Sequence, residues 1–159
     1  EQRRTLVQML FVEGNHVCPG CEKSGACQLQ AVAYYTDMLS PHFTHFFPKR
    51  ALDASHPDAV IDFNRCILCE LCVRASRDVD HKNVFAIDGR GIGSRLVINS
   101  PSGKLGDSNF SADDKAAHVC PVGAILSKHR GYDTPIGERL YDRKPISVVG
   151  DVAAHEDEV

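Results

Sequence analysis

Cys66-Ile67-Leu68-Cys69-Glu70-Leu71-Cys72 is the stretch on which the fold turns. Three cysteines at two-residue spacing place three thiolates on one short loop, and a fourth, Cys120, follows far downstream with Pro121 after it. This is the ligand run of a ferredoxin-type [4Fe–4S] site. In two-cluster ferredoxins a further cysteine comes three residues after the third and serves the other cluster. That slot here is Ser76, so the fourth ligand of this site is expected to be Cys120. Zinc also accepts four cysteines, but structural zinc draws on two separated pairs, and three cysteines this close crowd a tetrahedral ion. A zinc-binding interaction module without redox function is the alternative from a different class.

Upstream lies a second set, Cys18-x2-Cys21-x5-Cys27, with His16 two residues before it. Gly14, Gly20 and Gly25 let the loop curl around a small inorganic core. Three sulfurs leave one iron of a cubane open, and no spare cysteine exists, so His16 is the candidate fourth ligand. Cys66, Cys69, Cys72 and Cys120 then make one [4Fe–4S] site; His16, Cys18, Cys21 and Cys27 make the other. All seven cysteines are used. His42, His45, His56, His81, His129 and His155 answer no such need and read as structural or solvated. His118, close to Cys120, is a candidate for tuning that cluster through a hydrogen bond. Gly89-Arg90-Gly91-Ile92-Gly93 lacks nucleotide-loop spacing and reads as a plain turn.

The rest of the composition narrows the class. The 159 residues suit one ordinary domain or two small ones, and 43% hydrophobic with 25% charged content is that of a folded soluble protein. A net charge of −3 gives no footprint for nucleic acid or an anionic membrane. No apolar run approaches the roughly 20 residues that span a bilayer, and no secretion signal is visible. Seven cysteines are odd in number and sparse for a disulfide scaffold. A cytoplasmic location follows as the expectation, and there clustered cysteines bind metal.

The predicted architecture is α+β: two small iron–sulfur lobes, the second ferredoxin-like, with an irregular C-terminal tail. Residues 1–38 form the first lobe. It opens with a helix from Arg3 to Glu13 that carries Leu6, Val7, Met9 and Leu10 on its apolar face, and a second helical stretch runs from Gln28 to Met38. Residues 39–60, with Pro41, Pro48 and Pro57, read as an extended linker. Residues 61–130 form the second lobe, with strands at 84–87 and 96–99. Ser111 and Asp114 read as an N-cap pair opening a helix that runs to just before Cys120. Residues 131–159 are the tail.

The residues now in hand resemble a known family. Residues 16–30 (HVCPGCEKSGACQLQ), 66–72 (CILCELC) and 120–126 (CPVGAIL) resemble the cluster-binding part of the large iron–sulfur subunit of respiratory complex I. They resemble more closely the diaphorase small subunit of cytoplasmic NAD-reducing [NiFe]-hydrogenases. Gly131-Tyr132-Asp133 and Pro135-Ile136-Gly137 are similar to that subunit's tail. In complex I three residues separate the histidine from the first cysteine; here only Val17 does, which is the hydrogenase-like spacing. The family begins with a [2Fe–2S] domain whose Cys-x4-Cys-x2-Cys spacing is absent here, so that domain is expected upstream in the natural gene. The resemblance implies an electron relay with no substrate site of its own. Its implied partners are a diaphorase large subunit that binds FMN and NAD(H), and the small subunit of a [NiFe]-hydrogenase. A matching subunit of an NAD-dependent formate dehydrogenase or of complex I is the alternative within the class.

Overall fold

Gln2–Glu13 contains neither glycine nor proline and forms α1 in the computed structural model, which describes residues 1–131 and 134–143. Two units stand out, Glu1–Lys49 with the chain from Gly131 onward, and Arg50–Arg130.

In the first unit α1 packs against α2, Gln28–Tyr35. The helix lies where the sequence predicts it, but a different face is buried. Val7, Gln8 and Val12 are enclosed, whereas Leu6 and Met9 stay 62% and 45% exposed. Polar anchors from a distant segment set this rotation. The His42 N–H donates to Gln8 Oε1 at 2.8 Å, and the Phe46 N–H donates to the Val12 carbonyl at 3.0 Å. Apolar periodicity records neither bond. Thr36 closes α2, its hydroxyl donating to the Val32 carbonyl at 2.8 Å, and Asp37 turns the chain with φ 56°.

The second unit is built on two small sheets. β1 (Leu52–Asp53), β2 (Ala59–Asp62) and β5 (Ile125–Ser127) pair antiparallel in the order β1-β2-β5, with Ile61 opposite Ile125. β3 (Phe85–Asp88) and β4 (Arg95–Ile98) form a hairpin within a residue of the predicted strands. Between them Gly89 takes φ 78°, and a single 3-10 turn over Gly91–Gly93 leaves Ile92 wholly exposed, a plain turn as read. Two helices, α3 (Leu71–Asp78) and α4 (Lys115–His118), pack on each other. The core gathers Ile61, Val84, Phe85, Leu105, Phe110 and Ala116. His56 is built into it: Nδ1 accepts from the Asp58 N–H at 3.1 Å, which leaves Nε2 to donate to the Phe110 carbonyl at 3.2 Å.

The helix before Cys120 differs from expectation. Only four residues, Lys115–His118, are α-helical. Ser111 and Asp114 do bond, the Ser111 N–H donating to Asp114 Oδ2 at 2.8 Å, but this closes a turn ahead of the helix instead of its first turn. The cap comes from elsewhere. Asp80, just past α3, accepts the Lys115 and Ala116 N–H groups at 2.8 and 3.0 Å. Ser76, in the slot of the missing ferredoxin cysteine, is buried and its hydroxyl accepts the Val84 N–H at 2.8 Å.

The predicted tail falls mainly on residues outside those described, Tyr132 and Asp133 included. Within the described part, the Glu138 N–H donates to the Pro135 carbonyl and a short helix, α5, spans Leu140–Arg143.

Candidate iron–sulfur sites

β2 feeds a 3-10 turn, Phe63–Arg65, which is capped by Asp62 through the Asn64 N–H at 3.0 Å and delivers Cys66. The next residues curl because two of them take left-handed conformations, Leu68 at φ 55° and Glu70 at φ 62°. Such conformations are uncommon away from glycine, and the surrounding structure must hold them. The curl turns Cys66, Cys69 and Cys72 towards one hollow, with Cys72 in the first turn of α3. Cys120 arrives from the other side, between α4 and β5. The four cysteines line a single pocket whose remaining walls are largely apolar, among them Leu68, Leu96, Val122 and Ile125. Cys72 is buried within it, and Cys69 is its exposed edge.

The thiols act on one another. Burial, then the nearby sulfurs of Cys120, Cys66 and Cys69, push the Cys72 thiol up to about 12. Burial raises Cys66 and Cys69 as well, and Cys120 adds to both, while the backbone amides of Leu68 and Leu71 favour their thiolates. A set held protonated by burial and mutual repulsion loses its protons only when positive charge enters, since a coordinating thiol is deprotonated outright. Loading therefore releases protons, and retention weakens as pH falls.

Asp80 and Lys82 place Cys120. Asp80 caps α4 from the end of α3, and the Lys82 ammonium binds Asp114 at 2.6 and 2.9 Å. These contacts hold the Cys72 helix and the approach to Cys120 together. Asp80→Ala removes the cap and is expected to cost about 1–2 kcal/mol. Thermal unfolding read alongside the EPR of each cluster checks this: the second cluster should be lost at lower temperature than in the unsubstituted protein.

In the first unit α1 ends at Gly14, and Asn15 pins the following loop, Nδ2 donating to the Pro48 carbonyl at 2.8 Å. A 3-10 turn over Cys18–Gly20 leads to Cys21, whose N–H donates to the Cys18 carbonyl at 3.2 Å. Cys27 is the N-cap residue of α2. Burial pushes the Cys27 thiol up to about 11, and the backbone amides of Gln30 and Leu29, in the first turn of α2, pull against it. Free amides at a helix start favour a thiolate. Cys21 and Cys18 raise Cys27 further, and burial followed by Cys21 raises Cys18, so the three sulfurs are neighbours. His16 Nε2 is enclosed, and its ring tilts at 58° against Phe11 with centroids 5.4 Å apart.

These donors fit the groups read from the sequence. Thiolate sulfurs suit iron–sulfur clusters, and an enclosed ring nitrogen on the first cysteine loop suits a fourth ligand. Among the described residues, no three His, Cys, Asp or Glu side chains gather closely enough to hold a single metal ion. His118 is exposed at the end of α4. Asp80, Lys82 and Asp114 went unnoticed as supports for the site, because nothing local in the sequence links them to Cys120.

Known proteins match along both units. The family described as the NADH-ubiquinone oxidoreductase-G iron-sulfur binding region matches residues 3–42. The 4Fe-4S single cluster domain matches residues 60–126. The NAD-reducing hydrogenase HoxS subunit gamma of Cupriavidus necator is 44% identical over 144 residues, covering 89% of this chain and 60% of that protein. The NADH-quinone oxidoreductase subunit 3 of Thermus thermophilus is 32% identical, over 79% of this chain and 17% of that one. In a crystal structure of NAD+-reducing [NiFe]-hydrogenase in the H2-reduced state, one chain superposes with a TM-score of 0.85 at 58% identity, over 91% of this chain and 61% of that one. The chain thus spans about three-fifths of the hydrogenase subunits it matches. In sequence and in fold it is related to the iron–sulfur subunit of NAD-reducing hydrogenases and, more distantly, to the iron–sulfur region of the large subunit of complex I.

Proposed function

We propose that this chain is an electron-relay subunit holding two [4Fe–4S] clusters, one on His16, Cys18, Cys21 and Cys27 and one on Cys66, Cys69, Cys72 and Cys120. It links a [NiFe]-hydrogenase small subunit to a diaphorase large subunit that carries FMN and binds NAD(H), in the cytoplasm. The observation that carries the reading is the apolar pocket lined by all four cysteines of the second set. Higher identity to the hydrogenase subunit than to the complex I subunit supports the hydrogenase assignment. No helix among the described residues is long and apolar enough to cross a membrane.

When bound, the clusters would supply one-electron carriers. The chain's own part is to hold and to tune. The thiols bind, apolar walls limit water, and the amides of Leu68 and Leu71 beside the sulfurs favour added negative charge. Reduction adds such charge, so these groups raise the potential.

Anaerobically purified protein is expected to contain about eight iron and eight sulfide per chain, with a broad visible absorption that dithionite bleaches. Two zinc ions and negligible sulfide would overturn the reading in favour of a zinc module.

A further inference from the structure

The loop between Cys21 and Cys27 is gripped by a residue more than a hundred positions away. Arg139 Nη1 donates to the Ser24 carbonyl at 3.1 Å. Its guanidinium lies flat on Gly25: a β carbon there would fall 2.6 Å from Nη1 and 2.7 Å from Cζ. Gly25 also takes φ 84°, so both the space and the backbone conformation call for glycine. On its other side the loop is braced by Gln30 of α2, whose Oε1 accepts the Gly25 N–H at 3.0 Å.

Arg139 is itself held. Its Nε and Nη2 donate to the two carboxylate oxygens of Asp142 at 2.8 and 2.6 Å, a bidentate pair. Asp142 Oδ2 also accepts the N–H groups of Gly137 and Arg139. The two side chains are only 19% and 20% exposed, so solvent screens them partially. The guanidinium forms the end of the pair that touches the cysteine loop, and the carboxylate faces back into its own turn.

We propose that the Arg139–Asp142 pair is a positioning clamp on the first cysteine loop, setting how firmly that loop holds its cluster and the potential at which the cluster is reduced. The clamp rests on the [4Fe–4S] reading of the first site. Its physical content is a fixed positive charge against the loop that carries two of the ligands. Reduction adds an electron, which a nearby cation favours and a nearby anion opposes. The two halves of the pair therefore act with opposite sign.

The test is an EPR-monitored redox titration of the anaerobically purified full complex, with the second cluster as internal standard. Arg139→Gln leaves the Asp142 carboxylate uncompensated and is expected to shift the first cluster to more negative potential. Asp142→Asn leaves the guanidinium uncompensated and is expected to shift it to more positive potential. The second cluster should stay in place in both. Arg139→Lys keeps the charge but loses the fork; its potential should remain near that of the unsubstituted protein, while chelator removes the first cluster several-fold faster. A merely structural contact would not give shifts of opposite sign. Shifts in the same direction, or none, would overturn the clamp while both clusters stay visible. Absence of a first-cluster signal from the unsubstituted complex overturns the clamp and the cluster assignment together. If Arg139→Gln does not accumulate, Asp142→Asn decides alone, its amide oxygen still accepting the two backbone N–H groups.

Discussion

Cys120→Ala is expected to remove one cluster and spare the other, lowering iron and sulfide from about eight to about four per chain. The pocket in the second unit closes only because Cys120 reaches it from between α4 and β5. Its sulfur acts electrostatically on Cys66, Cys69 and Cys72 alike. Without it three thiolates remain around a core that needs four ligands. Changes at Cys66, Cys69 or Cys72 should give the same half-loss, with lower yield because cluster binding and folding are coupled. Iron and sulfide analysis with EPR of the reduced protein reads the outcome. Two intact clusters in Cys120→Ala would show that the long-range ligation is wrong.

The second large effect is expected at His16. Cys18, Cys21 and Cys27 leave one iron open, and His16 Nε2 is enclosed on the same loop. Imidazole is an established ligand in Rieske centres and binds without the negative charge of a thiolate. His16→Ala should leave a labile site that loses one iron. His16→Cys should keep a cubane but lower its potential, because the added thiolate charge opposes reduction. Pulsed EPR checks the ligand directly, through a nitrogen hyperfine coupling that should vanish in both variants. If that coupling survives in His16→Ala, the nitrogen belongs to another residue, with His42 and His45 next to be tested.

How much of this was legible depends on the range of the interaction. The cysteine motifs announce themselves, because a cluster's size dictates the spacing of its ligands along a loop. β3 and β4 were readable from local pattern, and α1 in its position. The buried face of α1 was not, since Gln8 is turned inward by a bond from His42 that no stripe of Leu6, Met9 and Leu10 can foretell. α4 was overextended for a related reason. Ser111 and Asp114 have the residue types of a cap, yet the capping carboxylate is Asp80, which meets the helix only through tertiary structure. Arg139 on Gly25 is the extreme case: a glycine in a cysteine loop reads as flexibility, but here it also makes room for a guanidinium.

The pairing of Ala59 with Ser127 and of Ile61 with Ile125 also sets a timetable for synthesis. Translation releases Cys66, Cys69 and Cys72 long before Cys120, and β2 must wait for β5 to emerge before that edge of the sheet can form. Until then three thiols stand together with no fourth partner and no closed apolar wall. Cluster insertion into this lobe is consequently a late event in the life of the chain, after the ribosome has passed Ser127. The nascent chain is most vulnerable to oxygen in the interval before it.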